Sequence, residues 1–335
     1  MSELENIYEE FKKLLPAGLG ETDDVVGIFG IGEVMDFLKS TLFDTSGSFL
    51  KMLALFVGVA TLLALADVLS AENSNAEVIR SVSAICVSVP LFTVFYDMIS
   101  EAGVGLQSGC ELFAGMIPLL CSVAALGGGG ATAAASGTSM SFTLSLISGI
   151  SVRNLFPLAI TVFICSVVSS FDTGQGTRRI ARSVRTLFGF VLGASTTLLV
   201  STVALQSIVS SAKDSVALRG ARFVINGMIP AVSGTVGATL GTLVSGASVL
   251  LSTMGATGVV ALAMTVGVPL LKIFTYRLAL QLAVAFCGMI GAEYSERFLE
   301  SLRSSVDLII SVMASALLTF VFEMVIFMKT AVPGS

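Results

Sequence analysis

The sequence predicts an all-α protein: a polytopic transmembrane helix bundle of about seven to ten membrane segments, one of them broken or re-entrant, preceded by an amphipathic helical arm. Three observations carry that expectation. Apolar side chains make up 54% of the 335 residues and charged ones 12%, with a mean hydropathy of +0.94, whereas soluble domains carry roughly 25% charge. The apolar residues gather into stretches near 20 residues, the length an α-helix needs to cross about 30 Å of hydrocarbon. The net charge of -5 is also uneven: residues 1–47 hold ten Asp or Glu against three Lys, and the remainder thirteen acids against fifteen bases. This divides the chain into an acidic arm, 1–47, and a membrane domain, 48–330. Nucleic-acid recognition, which needs a basic face, is not expected.

Within the arm, Leu4, Ile7, Tyr8, Phe11, Leu14 and Leu15 recur at helical spacing among acidic residues and stop at Pro16, which predicts an amphipathic helix over 2–15. Gly27, Gly30 and Gly32 mark a hinge before a second helix over about 33–43. Nothing apolar precedes these charges, so no cleavable leader is expected.

Hydrophobic spans follow over 48–70, 78–99, 104–126, 138–171, 187–208, 223–252, 254–271, 278–292 and 306–328, most of them the length of a single crossing. The stretch 138–171 is too long for one straight crossing and carries Arg153 and Asn154 near its middle. It is either a tilted, broken helix or two short ones. Pro90, Pro118, Pro157, Pro230 and Pro269 lie inside spans, where each removes a backbone donor that lipid cannot replace, so neighbouring helices are expected to cover the kinks. Gly105 with Gly109, Gly189 with Gly193, and Gly237 with Gly241 form small-xxx-small pairs that allow close helix approach. They suit packing within the bundle, with oligomerisation the other use of the same motif.

The stretch 223–252 differs from its neighbours because Asn226, Gly227, Pro230, Gly234, Gly237 and Gly241 interrupt it with polar or breaking residues. Irregular backbone at membrane depth survives where it is buried in protein or lines water. The segment is therefore a candidate cavity wall, or else a surface packed against a partner subunit. Between spans, the loop 172–186 holds Arg178, Arg179, Arg182 and Arg185 with apolar residues on the opposite stripe, which suits an interfacial helix on the cytosolic side. The loop 209–222 is also basic, through Lys213, Arg219 and Arg222, and one crossing away the same rule cannot satisfy both. The four-arginine cluster is the stronger signal.

Candidate intramembrane polar residues are Glu111, Arg153 and Glu323, the deepest ionisable side chains by sequence. An ionised group at mid-bilayer costs about 3 kcal/mol or more on insertion scales, so each needs a partner or a wet surface. They mark either a polar pathway or structural ion pairs. No catalytic, cofactor-binding or metal site is expected. Histidine is absent, and the five cysteines lie in apolar stretches without paired metal or disulfide spacing. No phosphate loop, H-E-x-x-H or G-x-S-x-G motif occurs. The glycines 127–130 lead into Ala-Thr-Ala-Ala-Ala without the lysine that engages phosphate, and read as a connector.

Certain runs are similar to a known family. Met116-Ile117-Pro118-Leu119-Leu120, followed by Ala124-Ala125-Leu126-Gly127, and above all SIVSSAKDSVALRGARFVINGMIPAVSG over 207–234, resemble the stage III sporulation protein AE family. In the longer run the carrying residues are Asp214, Arg222, Phe223, Met228, Ile229, Pro230 and Gly234. Asn154 and Pro157 before the arginine loop, and Pro269-Leu270-Leu271-Lys272-Ile273 after the motif, stand in matching order, so the likeness covers about 48–328. The resemblance implies a multi-pass component of the mother-cell membrane facing the forespore during sporulation. It implies a non-enzymatic subunit of a transenvelope, secretion-like channel complex, with other stage III sporulation membrane proteins and a secretion-type ATPase as partners. A stand-alone permease for a small solute or ion, and a structural scaffold without a conducting path, are the competing readings.

Overall fold

Charge interrupts the apolar sequence at several points where nothing breaks the helix, and the fold follows the helix. A computed structural model describes residues 2–15, 31–71, 76–128, 130–171, 183–184, 186–197, 201 and 233–331. The long elements are α1 (Ser2–Leu14), α2 (Ile31–Ala71), α3 (Ala76–Leu126), α4 (Gly130–Leu146), a π-helical segment (Ile147–Leu155) and α5 (Phe156–Phe171). They continue with a short apolar helix α6 (Thr186–Thr197), then α7 (Ser233–Ile290) and α8 (Glu293–Ala331). No strand occurs among the described residues, so the all-α expectation holds. Among the described residues five helices are long and apolar enough to cross a membrane: Phe49–Val68, Ile85–Leu126, Ala133–Cys165, Gly246–Ile290 and Glu293–Lys329.

The expected separation of spans needs correction. The stretches 78–99 and 104–126 are two halves of α3, and 254–271 and 278–292 belong to one α7, together with the described part of 223–252. The arm helix 33–43 and the span 48–70 likewise form one α2. Hydropathy falls at Glu101 and at Lys272 to Arg277, yet the helix runs through both sites, past Gly103 and Pro269 as well, and the charges pair between helices. Lys272 Nζ lies 2.5 Å from Glu101 Oε1, and Arg277 Nε lies 2.5 Å from Asp307 Oδ1. Arg303 donates to Gln281 Oε1 at 2.5 Å.

This ionic belt divides the bundle into two decks. Ile85–Leu126 is 42 residues long, about 63 Å at 1.5 Å per residue, roughly twice the hydrocarbon depth of a bilayer. Each deck is about one crossing long. In the first, Phe95 stacks on Phe163 at 4.0 Å between centroids, beside a small apolar pocket lined by Phe56, Met98, Tyr276, Leu280 and Val306. In the second, Phe113 meets Phe320 at 4.7 Å.

Glycines set the closest approaches in the second deck. A β-carbon at Gly105 would fall 2.6 Å from the Pro269 ring, and one at Gly109 would collide with Val266. At Gly258 it would collide with both Met116 and Met324. The Gly105 and Gly109 pair therefore seats α3 on α7 within the chain, as small-xxx-small spacing allows. Gly189 and Gly193 meet nothing within 4 Å among the described residues, and the surroundings of Gly237 and Gly241 lie outside them. Gly105 also covers Pro269, whereas Pro90, Pro118 and Pro157 face outward, contrary to the expectation that neighbours cover every kink. Outward hydroxyls bond the prolines' own carbonyls, Ser122 that of Pro118 at 2.8 Å and Thr161 that of Pro157 at 3.0 Å, whereas the acceptor that each proline orphans lies one turn earlier in its helix.

Gly291, at φ 77°, ends α7 in the left-handed region that glycine adopts without penalty. The Ala292 N–H then reaches the Cys287 carbonyl at 3.1 Å, the six-to-one bond of a Schellman turn. That tight turn lays α8 antiparallel along α7. The amphipathic α1 packs on α3, with Phe11 buried and Leu14 seated against Gly115.

Candidate functional site

The second deck buries one carboxyl. Glu323 on α8 is 2% exposed. Thr143 on α4 donates its hydroxyl to Glu323 Oε1 at 2.6 Å, and Ser139, one turn earlier, approaches the same oxygen at 3.4 Å. Glu323 Oε2 is buried without a hydrogen-bond partner among the described residues, and so is Ser136 Oγ on α4. Ser136, Ser139 and Thr143 recur at i, i+3 and i+7, the spacing of one helix face. The site is thus a carboxyl set opposite a hydroxyl stripe. No arginine or lysine pairs with it among the described residues, although an ionised carboxylate in such surroundings costs several kcal/mol.

Local backbone explains why the stripe ends where it does. The π segment Ile147–Leu155 follows Thr143 by one turn and precedes Pro157, which has no N–H to offer the ladder. The Phe156 N–H bonds the Ser151 carbonyl five residues back, and Asn154 Nδ2 donates to the Gly149 carbonyl at 3.0 Å. Of the two readings of 138–171, the structure gives the broken helix, and the break is a widening rather than a turn. π segments in α-helices occur frequently at functional sites.

The three intramembrane candidates are not brought together. Glu111 is exposed on α3 and accepts a hydrogen bond from Gln107 Nε2 at 3.0 Å, one turn away on the same helix. Arg153 is exposed on the π segment. Gly234, Gly237 and Gly241 lie in the first turns of an α7 that is unbroken from Ser233, so the described part of 223–252 is plain helix. Asn226, Gly227 and Pro230 lie outside the described residues, as do Arg178, Arg179, Arg182 and Arg185 of the basic loop. Sequence reasoning missed Thr143, Ser139 and the Glu101–Lys272 pair. The hydroxyl spacing on 136–143 was the available signal. Among the described residues no group of three or more Cys, Asp or Glu stands close enough to hold a metal ion.

A family model described as stage III sporulation protein AE matches residues 23–331. The chain belongs to the stage III sporulation protein AE family. That match begins inside the acidic arm and takes in every helix from α2 to α8, so the family unit is wider than the likeness over 48–328 suggested. Stage III sporulation protein AE of Bacillus subtilis (strain 168) is 23% identical over 302 residues, covering 89% of this chain and 75% of that protein. No solved structure matches the chain. Membership of the family, together with five helices of membrane-crossing length, makes this a multi-pass membrane protein of a sporulation family.

Proposed function

We propose that the chain is a non-enzymatic, integral membrane subunit of a secretion-like transenvelope complex between mother cell and forespore, required for sporulation. Its place is the mother-cell membrane facing the forespore, its partners are other stage III sporulation membrane proteins, and its energy comes from a secretion-type ATPase. The observation that carries this reading is the family match over 23–331, because it spans the whole packed bundle rather than one motif. The bundle supports it in kind: glycine contacts between α3, α7 and α8 close the interior, while Leu62, Leu65, Val82, Ile85 and Val89 leave an apolar outer surface for lipid or other membrane subunits. Deleting the gene in an endospore former is expected to block sporulation after engulfment. Affinity purification from sporulating cells is expected to bring down other membrane proteins of the same stage together with an ATPase. Normal spore yield in the deletion strain, or a solitary protein in the eluate, would reject the reading.

The buried Glu323 favours a second reading, a permease for a small solute or ion, since isolated carboxyls in a bundle mark transport paths in many carriers. Gradient-driven uptake by the purified protein in liposomes would support it. Absence of uptake across a broad solute panel, with incorporation intact, would remove it.

A further inference from the structure

We propose that Glu323, Thr143 and Ser139 form a proton-binding site on the contact between α4 and α8, filled when α4 is seated and emptied when α4 turns at the π segment. The inference is independent of the partners and of the complex proposed above.

Three observations meet at this point. The first is isolation. In the second deck α7 over 246–271, α4 over 130–146 and α8 over 308–328, apart from Glu323 itself, contain no Asp, Glu, Lys or Arg. On α3 the titratable groups nearby are Cys110, Cys121 and Glu111. Cys121 donates to the Ala133 carbonyl and Glu111 is turned outward to Gln107. Lys272 is held by Glu101 in the belt, Arg153 and, on α2, Lys51 are exposed, α5 holds only Cys165, and Lys329 lies more than a turn further along α8. No cation therefore stands against Glu323 among the described residues, and a bound proton is the smallest ligand that neutralises it without a cavity.

The second observation is the division of labour between the carboxyl oxygens. Oε1 takes both hydroxyls, while Oε2 is buried and free of hydrogen bonds among the described residues, which leaves Oε2 as the seat for the proton. The third is that both hydroxyl donors ride on the helix that enters the π segment. Converting one i→i+5 turn to i→i+4 shifts α4 by one residue position relative to α5, a rotation of about 100°. Such a turn carries Thr143 and Ser139 off the carboxyl and opens it to water.

The test is an infrared titration of the full chain in lipid nanodiscs, read at the carbonyl stretch of a protonated carboxyl, with E323Q subtracted to assign the band. A band present in the parent protein, missing from E323Q and lost on alkalisation, is expected. T143V removes the hydroxyl bonded to Oε1, so its band is expected to move to higher frequency. P157A restores an N–H and favours the α-helical register; with Thr143 and Ser139 then drawn off the carboxyl, its band is expected to shift in frequency and broaden. N154A, which loses the bond to the Gly149 carbonyl, serves the same purpose if P157A does not fold. No difference band between the parent and E323Q at any pH would overturn the site. A band indifferent to P157A and N154A would overturn its coupling to the π segment.

Discussion

Gly109 leaves no space for a side chain, because Val266 occupies the position of its missing β-carbon. Replacing it with leucine forces α3 and α7 apart, and overpacking of this kind costs about 1–3 kcal/mol. G109L is therefore expected to lower the thermal midpoint in detergent clearly, while G189L, at a glycine with open space among the described residues, leaves it nearly unchanged. Equal midpoints for the two variants would remove the packing argument. The value of Gly105 and Gly109 was legible in the sequence, since the four-residue spacing states which face is smooth. Which helix would fill that face was not, because Pro269 and Val266 are remote in the chain and their match is one of shape. Glu323 was likewise visible as a deep acid, and the spacing of Ser136, Ser139 and Thr143 marked a hydroxyl face, but only the fold sets that face against Glu323.

At the scale of elements, the ion pairs explain how helices outgrow their apparent segments. A hydropathy profile treats Glu101 and Lys272 as interruptions, yet they face one another with side chains 33% and 40% exposed. A pair so wet contributes no more than about 1 kcal/mol. Separate E101Q and K272M variants are each expected to lower stability slightly, and the double variant by less than their sum, measured as a double-mutant cycle in detergent. Strict additivity would mean that the pair contributes nothing to the contact of α3 with α7. The broken helix over 138–171 was legible as an alternative because Arg153, Asn154 and Pro157 crowd its middle. That the break widens the helix instead of turning the chain depends on hydrogen bonds five residues long, which no residue pattern specifies.

For the whole molecule, the all-α bundle followed from composition and from apolar stretches near 20 residues, but the count of helices did not, because charge and helix termination are separate properties. The two-deck length has a measurable counterpart. If lipid surrounds the second deck, cysteines placed outward on it are expected to resist a membrane-impermeant thiol reagent, and those at the belt to react. Leu318 and Phe322, exposed on α8, supply the first kind of position, and Ser301 and Ser304 near the belt the second. Uniform reactivity along α8 would show that the belt does not mark a boundary between lipid and water.

The pairings across the bundle also impose an order on biosynthesis. Glu101 meets Lys272 across 171 residues of chain, and Thr143 meets Glu323 across 180. The ribosome must therefore deliver the final third of the polypeptide before α3 and α4 find these partners on α7 and α8. Nascent chains halted before Lys272 are expected to be cleared by membrane proteases, and those halted after Lys329 to survive, so that the last two helices act as the clasp on everything inserted before them.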